Sequence, residues 1–162
     1  MHMSELRIRP AARAIVLDPD DRILLVRFVF PTGKTFWATP GGGIEEGESS
    51  VEAVRRELVE EAGLEGVDVG PVVWTRLHIV PFIGGLYDGQ HEQYHLVRTP
   101  PFTPAPRLSI EQLRAEYVFE LRWWTLANLD EANETFAPSR LPELIRDLVV
   151  NGAPLVPIDA GV

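Results

Sequence analysis

Glu57, Glu60 and Glu61 are spaced to place three carboxylates on one face of a helix. At about 100° of rotation per residue, Glu60 and Glu61 fall at about −60° and +40° from Glu57. Like charges at these spacings repel, and a helix C-terminus already carries partial negative charge from its unpaired carbonyls. The local rules oppose the arrangement, so compensation has to come from outside the helix. All-oxygen ligation by carboxylates suits a hard cation such as Mg²⁺ or Mn²⁺ and matches zinc poorly. Mg²⁺ commonly completes its shell with water and phosphate oxygens, which points to a phosphorylated small-molecule substrate. Grouped carboxylates also supply a candidate base for activating water, as hydrolysis requires. The competing reading is a solvated acidic face with no ligand.

The residues around the triad fit the first reading. Gly41, Gly42 and Gly43 follow Pro40 as a tight turn whose backbone can approach a metal or phosphates where a side chain would intrude. Val51, Val54 and Leu58 form the adjacent packing face. Ala53, one turn before Glu57, leaves room on the acidic side, and Arg56 is placed to hold a carboxylate such as Glu48. Ser49 or Ser50 caps the helix, Glu52 lies in its first turn, and Gly63 ends it.

The rest of the chain must position this helix. At 162 residues, 45% hydrophobic and 24% charged, it reads as a single domain with a core about residues 7–150 and a tail or packed arm at 151–162. A net charge of −9 argues against nonspecific binding of a nucleic-acid polymer. The absence of cysteine removes disulfides and thiolate sites, and no apolar run approaches a membrane span, so a cytoplasmic protein without a membrane partner is expected. RIRPAARAIVL and ILLVRFVF read as strands joined by the DPDD turn. Residues 31–40 read as a loop ending in an extended piece at Trp37–Thr39. Residues 67–80 and 91–99 read as partner strands flanking a turn or loop at 81–90, and 100–106 as a proline-rich surface connection. Residues 109–126 start helical and become strand-like near Tyr117, and 139–150 form an amphipathic helix. Strands on either side of a central helix, with a closing helix, predict an α/β fold: a mixed β-sheet sandwiched by helices.

The spacing from Gly42 to Glu48, then to Arg56-Glu57-Leu58-Val59-Glu60-Glu61-Ala62-Gly63-Leu64, resembles the Nudix box at every defined position, and looser similarity runs from about Arg13 to Val150. The resemblance implies an α/β/α sandwich of Nudix type. It also implies Mg²⁺- or Mn²⁺-dependent hydrolysis of a nucleoside diphosphate linked to another moiety, by water attack at phosphorus. In that family, residues matching Glu57, Glu60 and Glu61 and the Gly41 carbonyl bind metal, while Glu48 and Arg56 correspond to a supporting ion pair. A further glutamate often comes from a later loop, where Glu116 or Glu120 is the candidate. Members are often dimers, so a homodimer is compatible with the resemblance. The alternative is a non-catalytic Nudix-fold module that senses a nucleotide or nucleotide sugar. An isomerase on this fold would be expected to need a cysteine that this chain lacks.

Outside the box, Arg27 and Lys34 flank the entering loop and are candidates for substrate phosphate, against a solvated role. Trp37 is a candidate for stacking on a base, against a core role. Gly42 and Gly43 are the remaining substrate-binding candidates. TGKT at 32–35 fails the phosphate-loop pattern because Phe28 replaces its first glycine, and Glu46 breaks GxGxxG. Trp123 and Trp124 alternate across a strand, one buried and one half-exposed. His2, His78, His91 and His95 share no metal spacing with the triad. The family's ADP-ribose proline and diadenosine-polyphosphate tyrosine positions are occupied by Val80 and Phe82, so neither marker is met.

Overall fold

The computed structural model describes residues 5–81 and 83–162. His2 and the Phe82 marker position lie outside the described residues. β1 (Ile8–Leu17) and β2 (Ile23–Val29) meet as antiparallel partners at Leu17 and Ile23. Asp18 builds the turn between them. Its buried carboxylate accepts the Asp20 and Arg22 N–H groups, each at 2.9 Å, and Arg22 Nε at 2.6 Å. β3 (Thr35–Ala38) starts two residues earlier than the sequence suggested, because Thr35 and Phe36 complete a ladder with Val29 and Phe28.

The glycine triplet is a strand, not the expected turn. β4 (Gly41–Gly43) pairs with Ala11, Ala12 and Arg13 of β1. β1 therefore has different neighbours along its length, β2 at its C-terminal end and β4 near its N-terminal half. The sheet opens between them.

α1 (Ser50–Ala62) is capped reciprocally: Ser49 accepts the Glu52 N–H, and the Glu52 side chain accepts the Ser49 N–H. Gly63 ends it in the left-handed conformation at φ 70°. The helix's last carbonyls are met by backbone N–H groups from the proline-rich connection and the residues just after it: Ala105 donates to Ala62, and Arg107 and Leu108 to Glu60.

β5 (Val72–His78) and β6 (Gly89–Arg98) are antiparallel partners, and β6 runs parallel to β1 over the whole of both strands. α2 (Ile110–Ala115) leads into β7 (Val118–Trp124), which pairs with β2. Trp124 is buried and Trp123 half-buried, as their alternation required. α3 (Leu126–Glu131), capped by Thr125, was not anticipated. β8 (Phe136–Ala137) joins β3, α4 (Leu141–Asn151) covers the sheet, and β9 (Ile158–Asp159) joins β5. The C-terminal segment is thus a packed arm. The long path of the sheet is β8-β3-β2-β1-β6-β5-β9.

Strand alternation divides the core in two. Ala12, Ala14, Val16, Leu24 and Val97 pack under α1 with Val54 and Leu58. Ile15, Leu17, Ile23 and Leu25 face the other way, onto Leu141, Leu144, Ile145 and Leu148 of α4. The mixed sheet sandwiched by helices expected from the sequence is the observed architecture.

Burial alone would raise the Asp18 pKa, but the hydrogen bonds from Arg22 and Asp20 outweigh it and hold the group below its ordinary value. Its stabilisation is therefore present above the unfolded value of about 4 and lost as pH falls through the folded value. Asp18→Ala is expected to lower stability by about 1–3 kcal/mol at neutral pH. Urea denaturation at pH 7 and near pH 3 should show this difference shrinking at the lower pH.

Candidate active site

α1 turns its acidic face toward β4 and a cavity of about 860 Å³. Glu57 and Glu61 both line it and are almost fully removed from solvent, at 7% and 1% exposure. They lie within reach of each other, and the Gly41 N–H donates to Glu61 Oε1 at 2.9 Å. Burial, then the charge of Glu57, raises the Glu61 pKa well above the ordinary carboxylate range; the Gly41 N–H and Arg13 only partly oppose this. Glu60 is raised more modestly, by burial and then by Glu57. It is not among the residues lining the cavity.

Two glycines allow this approach. A Cβ on Gly42 would stand 2.7 Å from Glu57 Oε1, and one on Gly41 would stand 2.3 Å from the Ala12 carbonyl. Gly41 also has φ +145°, a conformation that side-chain-bearing residues avoid. Ala53 does not open space for a ligand as its helical position suggested. It is fully buried in the core beneath α1, because that core extends further around the helix than the predicted stripe.

Arg56 organises the acids. Its Nε and Nη2 donate to both oxygens of Glu48, at 2.8 and 3.0 Å, and Nη2 also donates to Gly43 O at 3.0 Å. Nη1 reaches Glu57 Oε1 at 3.0 Å and Glu60 Oε2 at 3.4 Å. The hydrogen bond from Arg56 holds Glu48 below its ordinary pKa. Among the described residues, no three acidic or histidine side chains converge tightly enough to cage a cation as they stand. Arg56 and the Gly41 N–H draw the oxygens toward separate partners. The donor set itself, carboxylates beside a half-buried glycine strand with no thiol, is one that a hard cation fits.

The remaining candidates separate. Glu116, at the end of α2, lines the cavity, and burial followed by the charges of Glu57 and Glu60 raises its pKa. Glu120 instead pairs with Arg27 at 3.8 Å and Arg122 at 3.3 Å. Lys34 lines the cavity, as do Gly41, Gly42 and Gly43, whereas Arg27 does not. Trp37 is a core residue and not a stacking platform: it is 1% exposed, edge-on to Trp124, with Arg122 over its ring. The aromatic wall of the cavity is built from the half-buried Phe28, Phe30 and Phe36 and the exposed Tyr117, with neighbouring ring centroids 4.8–5.6 Å apart.

Sequence reasoning missed the basic wall. Arg9 and Arg13 of β1, Arg76 of β5 and Glu92 of β6 all line the cavity. Glu92 is 1% exposed; Arg13 Nε meets its Oε2 and Arg76 Nη1 its Oε1, the latter at 2.6 Å. Burial opposes ionisation of Glu92, but Arg13 and then Arg76 outweigh it and hold its pKa at about 2. The available signal was charge in the largely apolar strands β1 and β5; the polar sequence of β6, GQHEQYHLVR, hides Glu92 among other polar residues.

The NUDIX domain profile matches residues 7–148. The curated RNA pyrophosphohydrolase of Sphingopyxis alaskensis is 29% identical over 161 residues, covering 94% of this chain and 97% of the relative. That of Helicobacter pylori is 31% identical over 106 residues, covering 59% of this chain and 66% of the relative. The Nudix domain of Shewanella oneidensis NrtR, solved with ADP ribose, has a TM-score of 0.64 at 18% identity, covering 92% and 94% of the two chains. The E. coli dihydroneopterin triphosphate pyrophosphohydrolase has a TM-score of 0.63 at 16% identity, covering 90% and 98%. At these identities the structural likenesses establish the fold. The chain belongs to the Nudix family. As an enzyme it is a pyrophosphohydrolase of that family.

Glu92→Gln would leave Arg13 and Arg76 buried against a neutral group. A loss of about 3 kcal/mol or more is expected at pH 7, read by urea denaturation. Since the Glu92 pKa is depressed, this loss should be full above pH about 4 and fade toward pH 2, where the native carboxylate protonates.

Proposed function

We propose that the chain is a Mg²⁺- or Mn²⁺-dependent hydrolase that cleaves the diphosphate linkage of a nucleoside diphosphate joined to another moiety. The observation that carries this reading is the burial of Glu57 and Glu61 side by side on the cavity wall, beside a glycine strand, with the proton affinity of Glu61 raised. A buried acidic pair needs a positive partner, and the glycines leave the space in front of it open. Glu57, Glu60 and Glu61, with the Gly41 carbonyl, would hold the cation. When bound, a divalent cation supplies Lewis-acid stabilisation of charge on phosphoryl oxygens.

The chain's own groups do the rest. Arg56 ties Glu48, Glu57 and the Gly43 carbonyl together, so α1 and the loop before it keep one geometry. Glu116 lines the same cavity with a raised pKa, which suits a carboxylate that takes a proton from the attacking water. Phe28, Phe30 and Phe36 offer a flat apolar surface to the nucleoside, and Arg9, Arg13 and Lys34 supply charge for phosphate oxygens.

A second reading, favoured by the names of the curated relatives, is an RNA substrate processed at a phosphorylated end. The net charge of −9 opposes nonspecific backbone binding but not recognition of one terminal phosphate group.

A panel of nucleoside triphosphates, dinucleotides, nucleotide sugars and a 5′-triphosphorylated oligoribonucleotide, assayed with Mg²⁺ or Mn²⁺ by coupled phosphate release, distinguishes the two. Glu57→Gln and Glu61→Gln are each expected to lose turnover by about 100-fold or more while remaining folded. Undiminished activity in both variants would sink the assignment. Tight binding of a nucleotide sugar without metal-dependent product would instead favour a sensor.

Mg²⁺ at 100 times its dissociation constant should stabilise the native chain by about 2.7 kcal/mol. This shift, read by thermal denaturation, is expected to shrink in Glu57→Gln.

A further inference from the structure

The C-terminal arm reaches the cavity, and the acidic helix gives no reason for it. Trp74 and Thr75 of β5 pair with Ile158 and Asp159 of β9, and the Ala160 N–H donates to Thr75 O at 2.8 Å. Asp159 Oδ1 then accepts the Gly161 N–H at 3.0 Å, and Gly161 takes φ +70°. This turn presents the Gly161 carbonyl to Arg76 Nε at 3.0 Å. Val162, the next residue, lines the cavity, and its main-chain oxygen accepts from Ser139 Oγ at 2.9 Å.

Arg76 is fixed on its other sides as well. Nη1 donates to Glu92 at 2.6 Å, and Nη2 lies 3.4 Å from His78 Nδ1. Among the described residues, three of its donor groups are thus engaged, and a guanidinium carries five N–H donors in a rigid fork. The side chain lines the cavity and is 10% exposed, so a ligand in the cavity would be in contact with this guanidinium. Arg13 grips the other Glu92 oxygen, so two guanidiniums stand against one carboxylate within this group of three. β5 is two strands from β1, or about 10 Å at ordinary strand spacing. The basic subsite on β5 is therefore displaced from β4 and the acids of α1.

We propose that Arg76 binds an additional phosphate of the substrate, beyond the diphosphate engaged by the α1 carboxylates, and that the arm at 158–162 positions it. The inference rests on the diphosphate-hydrolase reading for its kinetic consequences but not for binding. Fixing the fork in advance lowers the ordering cost of a charge-assisted contact, so substrates with the extra phosphate are preferred over counterparts with one fewer.

The test compares Arg76→Gln, Arg76→Lys, Asp159→Ala and Gly161→Val with the unsubstituted chain. Among the described residues no heavy atom lies within 4 Å of a Cβ on Gly161, and a β-branched residue there acts first on the backbone at φ +70°, which such residues avoid. Inorganic tripolyphosphate in EDTA should raise the melting temperature of the unsubstituted chain. That shift should be lost in Arg76→Gln, reduced in Gly161→Val and Asp159→Ala, and partly kept in Arg76→Lys. With a nucleoside triphosphate and Mg²⁺, Arg76→Gln and Gly161→Val should raise KM about tenfold or more with kcat little changed. Unaltered tripolyphosphate binding and KM in these variants, or no binding by the unsubstituted chain, would overturn the proposal even if turnover is found. Arg76- and arm-dependent binding with no turnover of any diphosphate would support it and overturn the hydrolase reading.

Discussion

The close approach of the β4 backbone to the acidic face of α1 constrains the rest of the molecule. A methyl group on Gly41 would collide with the fixed Ala12 carbonyl, and one on Gly42 would push the Glu57 carboxylate out of its place. With no side chains in the way, β4 pairs with the N-terminal half of β1 and gives Glu61 a backbone hydrogen bond. β2 is then free to leave β1 after its first pair and continue with β3 and β7. The cavity occupies the opening that results, so the glycines shape the site by determining which strand lies beside β1.

The electrostatics follow from the same opening. Its acidic side carries Glu57, Glu61 and Glu116, of which Glu61 and Glu116 have raised proton affinity, chiefly from burial. Its basic side carries Arg13 and Arg76 around Glu92, whose charge they retain deep in the fold. Burial has opposite outcomes for the acids on the two sides because only Glu92 has two guanidiniums in direct contact. Arg56 lies at the margin, where it holds both oxygens of Glu48 and shares Nη1 among Glu57, Glu60 and Glu45.

Continuous segments with one strong local pattern were legible in the sequence. α1 begins at the Ser49 cap and ends at Gly63, and α4 buries the apolar residues that its period marks. Short elements were not: β4, β8 and β9 span two or three residues each and exist only because a partner strand supplies their hydrogen bonds. α3 escaped notice because six residues are too few to show a helical period. Trp37 has the composition of a ligand-stacking residue, and only its neighbours Trp124 and Phe136 place it in the core.

Sequence alone placed Glu57 and Glu61 on one face, paired Arg56 with Glu48 and required glycine before the helix, because these depend on spacing within one helix and the segment before it; Glu60, expected on the same face, does not line the cavity. Tertiary structure decided which late glutamate joins the site: Glu116 enters the cavity, while Glu120, four residues on, pairs with Arg27 and Arg122. It also decided the basic wall, since Arg13, Arg76 and Glu92 come from three strands far apart in the chain and meet only when β1, β6 and β5 align. A charge within a strand shows a side chain that needs a partner. The register of the sheet chooses that partner, and register is set by non-local pairing that no local spacing records.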